Sequence, residues 1–388
     1  MELKRIGLVN ISMHGHDAGV LKGFLKYAQH RTSWLVYDGG EHGASWIDHL
    51  AEHDLHGVAI NLSSPDEVRT LKTLDIPIVN LSQARPEARD FQTVYVDPFE
   101  IATTAAQHFL EHGFRNFAFF DPFPGRVFMA ERGAAFRDYL GDKGYECAIY
   151  ENFVPFPTYA PKDLLTDLDL PIVEWLNQLP KPVAVFTGMD RAGRKLCWIC
   201  NLAGIHVPED VAVLGVDNFG FICETSFPML SSVRLPSEQV GYRAAEVLDT
   251  MMQGGTPPER TILLPAAGVV VRQSTDVMAI DDRAVATALR FIRTHFTERI
   301  SVSDVARAAG TNRRSLERRF KAALRRTPLQ EIHRMMIEHA GNLLRDTDSP
   351  IPDIASRSGF RDGNHLNIVF RKATGQSPSA FRRRFRAP

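Results

Sequence analysis

At 388 residues, 44% of them hydrophobic, the chain is long enough for two or three soluble domains with cores of their own. Its net charge of −1 hides a split: 22 Lys+Arg stand against 9 Asp+Glu from Arg283 onward, and 23 against 37 before it. The four cysteines exclude a disulfide framework, no run of about 18 apolar residues could span a membrane, and the first apolar stretch is too short for a signal peptide. A cytoplasmic protein with a basic module for a polyanion, joined to an acidic part that is not, is the expectation.

From residue 3 to about 275, short apolar runs alternate with amphipathic segments: "RIGLVN", "GVAINL", "PIVNLS", "TVYVD", "NFAFFD", "VAVFTG" and "VAVLGVDN". Unbroken apolar runs suit strands buried on both faces, and their alternation with helices predicts a doubly wound α/β domain, split by its size into two lobes. His14 and His16 lie in a loop with no carboxylate cluster, so no metal is expected, and no cofactor either. In "DPFEIATTAAQHFLEHG", Asp97 is the expected N-cap with Glu100 completing a capping box, and Gly113 ends the helix. Asn10, Asp97, Asp121, Asp190 and Asp217 end strands where a ligand crevice opens in such folds. Cys197 and Cys200 form one Cys-x-x-Cys in an apolar helix, read as two buried thiols.

After "VVVRQSTDVMAIDDR" the strand-like runs stop, which places a linker at 276–283 between a domain at 1–275 and a helical one at 284–388. The helical part repeats itself. Ala306 to Gly310 and Ala355 to Gly359 each span four residues, and Phe320 to Pro328 and Phe370 to Pro378 each span eight. Each copy is a short helix, a glycine turn and a second helix with an apolar i, i+4 pair, Leu316/Phe320 or Leu366/Phe370. Ser301 or Ser303 and Pro352 are the expected starts of the two first helices. This is the helix-turn-helix pattern. The alternative is a pair of hairpins in a plain bundle. Against it, the basic residues gather on the second helix (Arg313, Arg314, Arg318, Arg319, Lys321), and a long amphipathic helix joins the copies.

Residues 284 to 385, with "IPDIASRSGF…VFRKATGQSPSAFRRR", resemble the AraC-type DNA-binding domain. The resemblance implies that Arg313, Arg314, Glu317 and Arg318 of the first unit face DNA bases, with Gly363, Asn364 and Asn367 of the second. Arg suits guanine, Asn adenine, and Glu can accept from cytosine. Arg319 and Arg383 are expected on phosphates. Where the family often has an aromatic pair, this chain has His365-Leu366, and Ile368 sits where a polar contact would fit.

"VPEDVAVLGVDN" (Val207 to Asn218), "ERGAAF", "VYVDPFEIATTAAQHFLEHG" and "VVVRQST" resemble the LacI/GalR regulators and their periplasmic sugar-binding relatives. The fold implied is a two-lobed periplasmic-binding-protein-like domain with parallel sheets, followed by an all-α domain with two helix-turn-helix units. This order of modules resembles the xylose-responsive regulators. It implies a homodimer on duplex operator DNA, a small sugar effector with xylose first, and a contact with RNA polymerase. By position in the pattern the sugar-binding residues are Asp217 and Arg132, then Asp190, Asp17 and Asn218. Each has a structural alternative: Asp190 could cap the helix "RAGRKLCWIC", and Arg132 could pair with Glu131 or Asp138. A sugar-processing enzyme, with Asp190 and Asp217 as its carboxylate pair, is the rival from another class. No phosphate loop or nucleophile elbow supports it, and the expectation is a regulator and not an enzyme.

Overall fold

The computed structural model describes residues 3–13, 15–30, 34–38, 47, 50–62, 64–82, 90–154, 165–276 and 282–386. The chain divides into two compact units, Met1–Val277 and Met278–Pro388. His14 and residues 277–281 of the expected linker lie outside the described residues.

The first unit holds twelve described strands: β1 (Lys4–Val9), β2 (Trp34–Asp38), β3 (Gly57–Ile60), β4 (Ile78–Asn80), β5 (Gln92–Val96), β6 (Asn116–Asp121), β7 (Cys147–Glu151), β8 (Val183–Phe186), β9 (Val211–Val216), β10 (Ser231–Val233), β11 (Thr261–Leu264) and β12 (Val269–Val270). They form two six-stranded sheets, ordered β11-β5-β4-β3-β1-β2 and β12-β10-β9-β8-β6-β7. All pairs are parallel except β12 on β10. The two-lobed α/β expectation therefore holds. All seven apolar runs named above are strands. The five others are short or lie at sheet edges: β11 alternates exposed and half-buried residues, and β10 is three residues with two serines. β10 carries no unbroken apolar run to announce it, and that of β11 is only three residues long.

The described α-helices of this unit are α1 (Gly15–Ala28), α2 (Pro65–Leu71), α3 (Pro98–Glu111), α4 (Val127–Gly141), α5 (Leu170–Gln178), α6 (Asp190–Leu202), α7 (Gly220–Thr225) and α8 (Ser237–Met252). Asp97 caps α3 by accepting from the Phe99 amide at 2.8 Å, but Glu100 does not complete a box. The α6 N-cap is Met189 and not Asp190. Helix α8 packs on α1 and on β3, β4 and β5, whereas α3 packs on α4, β10 and β12. The chain thus passes between the lobes three times: at Asp97, at 234–236 and at 265–268. Backbone bonds tie these crossings together, from the Asp97 amide to the Leu264 carbonyl (2.9 Å) and from the Arg234 amide to the Gly268 carbonyl (2.8 Å). The α1–α8 contact is closer than side chains allow. A Cβ on Gly23 would lie 1.9 Å from the Glu238 carbonyl oxygen, and one on Gly241 1.8 Å from that of Val20.

The described part of the second unit is helical: α9 (Arg283–His295), α10 (Val302–Ala308), α11 (Arg313–Leu324), α12 (Pro328–Asp346), α13 (Ile351–Arg357), α14 (Gly363–Thr374) and α15 (Pro378–Arg386), with one short 3-10 turn after α9. The repeat is α10–α11 and α13–α14, joined by α12. Ser301 caps α10 in a capping box with Asp304. Pro352 stands in the first turn of α13, and Pro350 is its cap residue. Gly310 (φ 64°) and Gly359 (φ 80°) make the left-handed turns. Leu316, Phe320, Leu366 and Phe370 are buried, as their spacing requires. Glu331, fully buried, is held by Arg326 and Arg334.

Candidate functional site

The lobe carrying β6–β10 brings its polar groups together at the ends of β8 and β9. Past β9, Asp217 and Asn218 take positive φ angles of 108° and 52°, a strained path that only the surrounding bonds maintain. The Asp217 amide donates to the Val233 carbonyl (3.1 Å), and the Asn218 amide to Ser232 Oγ (2.9 Å). The Phe219 amide donates to Asp190 Oδ2 (2.7 Å). Asp190 also accepts from Ser232 Oγ on Oδ1 (2.6 Å) and from Cys223 Sγ on Oδ2 (3.3 Å). Both oxygens of this buried carboxylate are therefore taken by the protein, and it shapes the 217–219 loop. Burial raises its pKa, and these hydrogen bonds oppose the rise.

Asp217 is different: its carboxylate accepts no hydrogen bond among the described residues. Burial chiefly, and the charges of Asp190 and Asp17, push its pKa up, while Arg132 holds it down. Asn218 leaves its buried Oδ1 without a partner among the described residues. Arg132, on α4, is buried and pairs with neither Glu131 nor Asp138. It donates from Nη1 to the Gly188 carbonyl (2.6 Å) and lies 5.1 Å over the Phe128 ring. Its Nε is buried with no partner among the described residues. Burial lowers its pKa, and Asp217, Asp190 and Glu131 favour its charge.

The facing groups come from the start of α1. Asp17 accepts from the Ser12 amide (3.1 Å) and from Asn61 Nδ2 (3.4 Å). Next to it, His16 shares a 2.7 Å hydrogen bond between Nδ1 and Ser237 Oγ. Burial and the Arg132 charge lower the His16 pKa to about 4. Fields reach across from lobe to lobe, Arg132 acting on His16 and Asp17 on Asp217. Four of the five residues expected to bind sugar thus gather around the crevice with polar or charged groups, and Asp190 supports them from beneath. In the sequence alone His16 reads only as a weak metal ligand, and Ser232 and Ser237 do not stand out. Nothing in their local pattern marks them. No group of three or more His, Cys, Asp or Glu able to hold a metal occurs among the described residues.

In the second unit, Arg313, Arg314, Arg318 and Arg319 are exposed along α11, with Glu317 half-buried among them. Arg313 Nε pairs with Glu317 Oε1 (2.8 Å), one turn on, and Arg319 with Asp282 (3.3 Å). Arg314 and Arg318 have no partner among the described residues. On α14, Asn364, Asn367 and Ile368 are exposed and Gly363 is half-buried. His365, half-buried, packs against the rings of Phe360 (5.5 Å) and His333 (5.9 Å) as an aromatic would. Arg383 is exposed, while Arg382 turns back to the Ser349 carbonyl (2.5 Å).

Residues 106–275 match the model of a periplasmic binding protein-like domain, and residues 305–384 that of a helix-turn-helix domain. The chain is 28% identical to the xylose operon regulatory protein of Escherichia coli (strain K12) over 387 residues, 97% of this chain and 96% of that one. The Haemophilus influenzae protein of the same name is 28% identical over 95% of each chain. The solved structure of the xylose-binding transcription activator xylR aligns with a TM-score of 0.82 at 27% identity, covering 98% of both chains.

The chain is a XylR-like transcription regulator. It is not an enzyme, since the chains it matches end to end are regulators. In this XylR-like chain Asp190 has both oxygens engaged by the protein, so the rival reading as a carboxylate pair also lacks its second member. No helix among the described residues is long and apolar enough to cross a membrane.

Proposed function

We propose that the interlobe crevice binds a small sugar, xylose first, and that sugar occupancy changes how the helical unit engages operator DNA. The observation that carries this reading is the set of unspent hydrogen-bonding atoms in the crevice. Among the described residues, Arg132 Nε and Asn218 Oδ1 are buried and unpartnered, and the Asp217 carboxylate accepts no hydrogen bond. Buried polar atoms without partners are costly, and ligand hydroxyls, each donor and acceptor, would satisfy them. Asp17 borders the same space, and Asp190 holds the loop that presents Asp217 and Asn218.

On the DNA side, Arg314 and Arg318 are proposed as base readers together with Arg313, Glu317, Asn364, Asn367 and the backbone at Gly363. Arg319 and Arg383 are proposed on phosphates. A homodimer on paired half-sites and a contact with RNA polymerase complete the proposal, with 1–275 as sensor, 276–283 as linker and 284–388 as DNA-binding domain. A protein that works on operator DNA belongs in the cytoplasm.

The test is thermal stability with D-xylose and a panel of pentoses and hexoses, since a ligand of the native state alone raises its melting temperature. Operator binding with and without the stabilising sugar then reads the coupling. Asp217→Ala should remove both the stabilisation and the response. A folded Asp217→Ala protein that responds at unchanged sugar concentration would place the site elsewhere.

A further inference from the structure

His16 is not among the residues that the sequence pattern assigns to the ligand, yet its position is unusual. It is the second residue of α1, half-buried at the crevice. One ring nitrogen, Nδ1, is committed to Ser237 Oγ at 2.7 Å. The other, Nε2, has no hydrogen-bond partner among the described residues. Ser237 is the first residue of α8, directly after the 234–236 crossing between the lobes. It has little room to move: a Cβ on Gly19 would come within 2.5 Å of the Ser237 Cβ, so α1 and the start of α8 are locked together there. The cation that acts on His16 is Arg132, from the opposite lobe.

We propose that His16 is a further effector-recognition residue, offering Nε2 to one hydroxyl of the sugar, and that Ser237 positions its ring and ties it to the crossing between the lobes. This rests on the crevice being the sugar site. A neutral imidazole suits the task. With one nitrogen held by Ser237, the other gives or takes a single hydrogen bond, which matches a hydroxyl and adds no charge beside Arg132. Burial and Arg132 keep the ring neutral down to about pH 4. Because the ring is fixed to α8 while Arg132 belongs to the other lobe, a sugar bonded to both would bridge the lobes next to a crossing strand. Only a ligand that favours the closed arrangement can shift the equilibrium toward it. A single directional bond also makes His16 a discriminator between sugars that differ at one hydroxyl.

The experiment measures calorimetric binding of D-xylose, its epimers D-ribose, D-lyxose and L-arabinose, and D-glucose, to the full chain. His16→Leu, His16→Gln, Ser237→Ala and Asp217→Ala are compared with the parent protein. His16→Leu should weaken the best sugar about tenfold or more and compress the ranking of the epimers. His16→Gln, which retains one hydrogen-bonding group, should lose less. Ser237→Ala should weaken binding severalfold and also compress the ranking, a change that loss of packing alone would not produce. If His16→Leu proves unfolded without sugar, His16→Gln and Ser237→Ala carry the decision. Unchanged affinity and ranking in the folded His16 and Ser237 variants, with binding lost in Asp217→Ala, would overturn this proposal and leave the crevice reading intact. Unchanged binding in Asp217→Ala as well would overturn both, as would a parent protein that binds none of the five sugars.

Discussion

Ser232 donates its hydroxyl to the Asp190 carboxylate at 2.6 Å, and the bond passes over the strand that lies between them. Ser232 is on β10, Asp190 follows β8, and the intervening β9 carries Gly215, where a Cβ would sit 2.3 Å from Asp190 Oδ1. A glycine is required there so that a buried carboxylate can reach two strands away and hold the loop of Asp217 and Asn218. Gly215→Ala should therefore displace Asp190. Overpacking of this kind costs about 1–3 kcal/mol, read by urea denaturation, and sugar affinity should fall as the 217–219 loop relaxes. A variant with the parent's stability and sugar affinity would show that the bond is dispensable.

The α1–α8 crossing makes a second prediction. Gly23 and Gly241 let backbone meet backbone, with no room for a methyl on either side. Gly23→Ala and Gly241→Ala should each push the helices apart at a cost of about 1–3 kcal/mol or more. Alanine's better helix propensity, about 1 kcal/mol in its favour, is too small to offset a clash with a carbonyl. Both changes force apart the same contact, so the double variant should lose less than the sum of the two single losses. A rise in melting temperature for either would mean the helices separate freely.

Stability should depend on pH through His108. It is buried on α3, with Nε2 2.9 Å from Thr275 Oγ1 and the His112 ring 4.2 Å away. Burial, then the His112 charge, lowers its pKa to about 3. The unfolded chain takes up a proton near the ordinary value of 6.5 while the folded chain does not. The stability due to neutral His108 is thus fully present above pH 6.5 and is lost as pH falls toward 3. The limiting slope is about 1.4 kcal/mol per pH unit for one such group. Urea midpoints between pH 7.5 and 5 should fall more steeply for the parent than for His108→Gln. Asp190 and Asp217, whose pKa values are raised, contribute in the opposite sense, so the difference between the two proteins isolates His108. Parallel curves would refute the assignment.

In the helical unit, Arg314→Ala or Arg318→Ala should relax base preference at one position of the operator. A bidentate contact is worth about 1–3 kcal/mol against the wrong base. Arg383→Ala should instead weaken specific and random duplexes alike and reduce the slope of affinity against salt by about one. Gel-shift titrations on operator and scrambled DNA at several salt concentrations separate these outcomes. Equal losses on both duplexes for all three variants would remove the distinction between readers and anchors.

The sequence by itself determined what depends on near neighbours. Unbroken apolar runs named the central strands, since only strands buried on both faces need them. The repeated spacing of alanine, glycine and phenylalanine named the two helix-turn-helix units, and the change in charge at Arg283 divided the chain. The tertiary structure decided which polar groups are spent and which are left. Asp190 and Asp217 look alike in sequence, each beside the end of an apolar run. One is consumed by Ser232, 42 residues away, and the other is left facing the crevice. His16 sat in a loop with no evident role until Ser237, 221 residues further on, took one of its nitrogens. The physical reason is the range of each effect. Hydrophobic periodicity is written in consecutive residues, whereas hydrogen-bond satisfaction is settled only when distant strands and helices have packed.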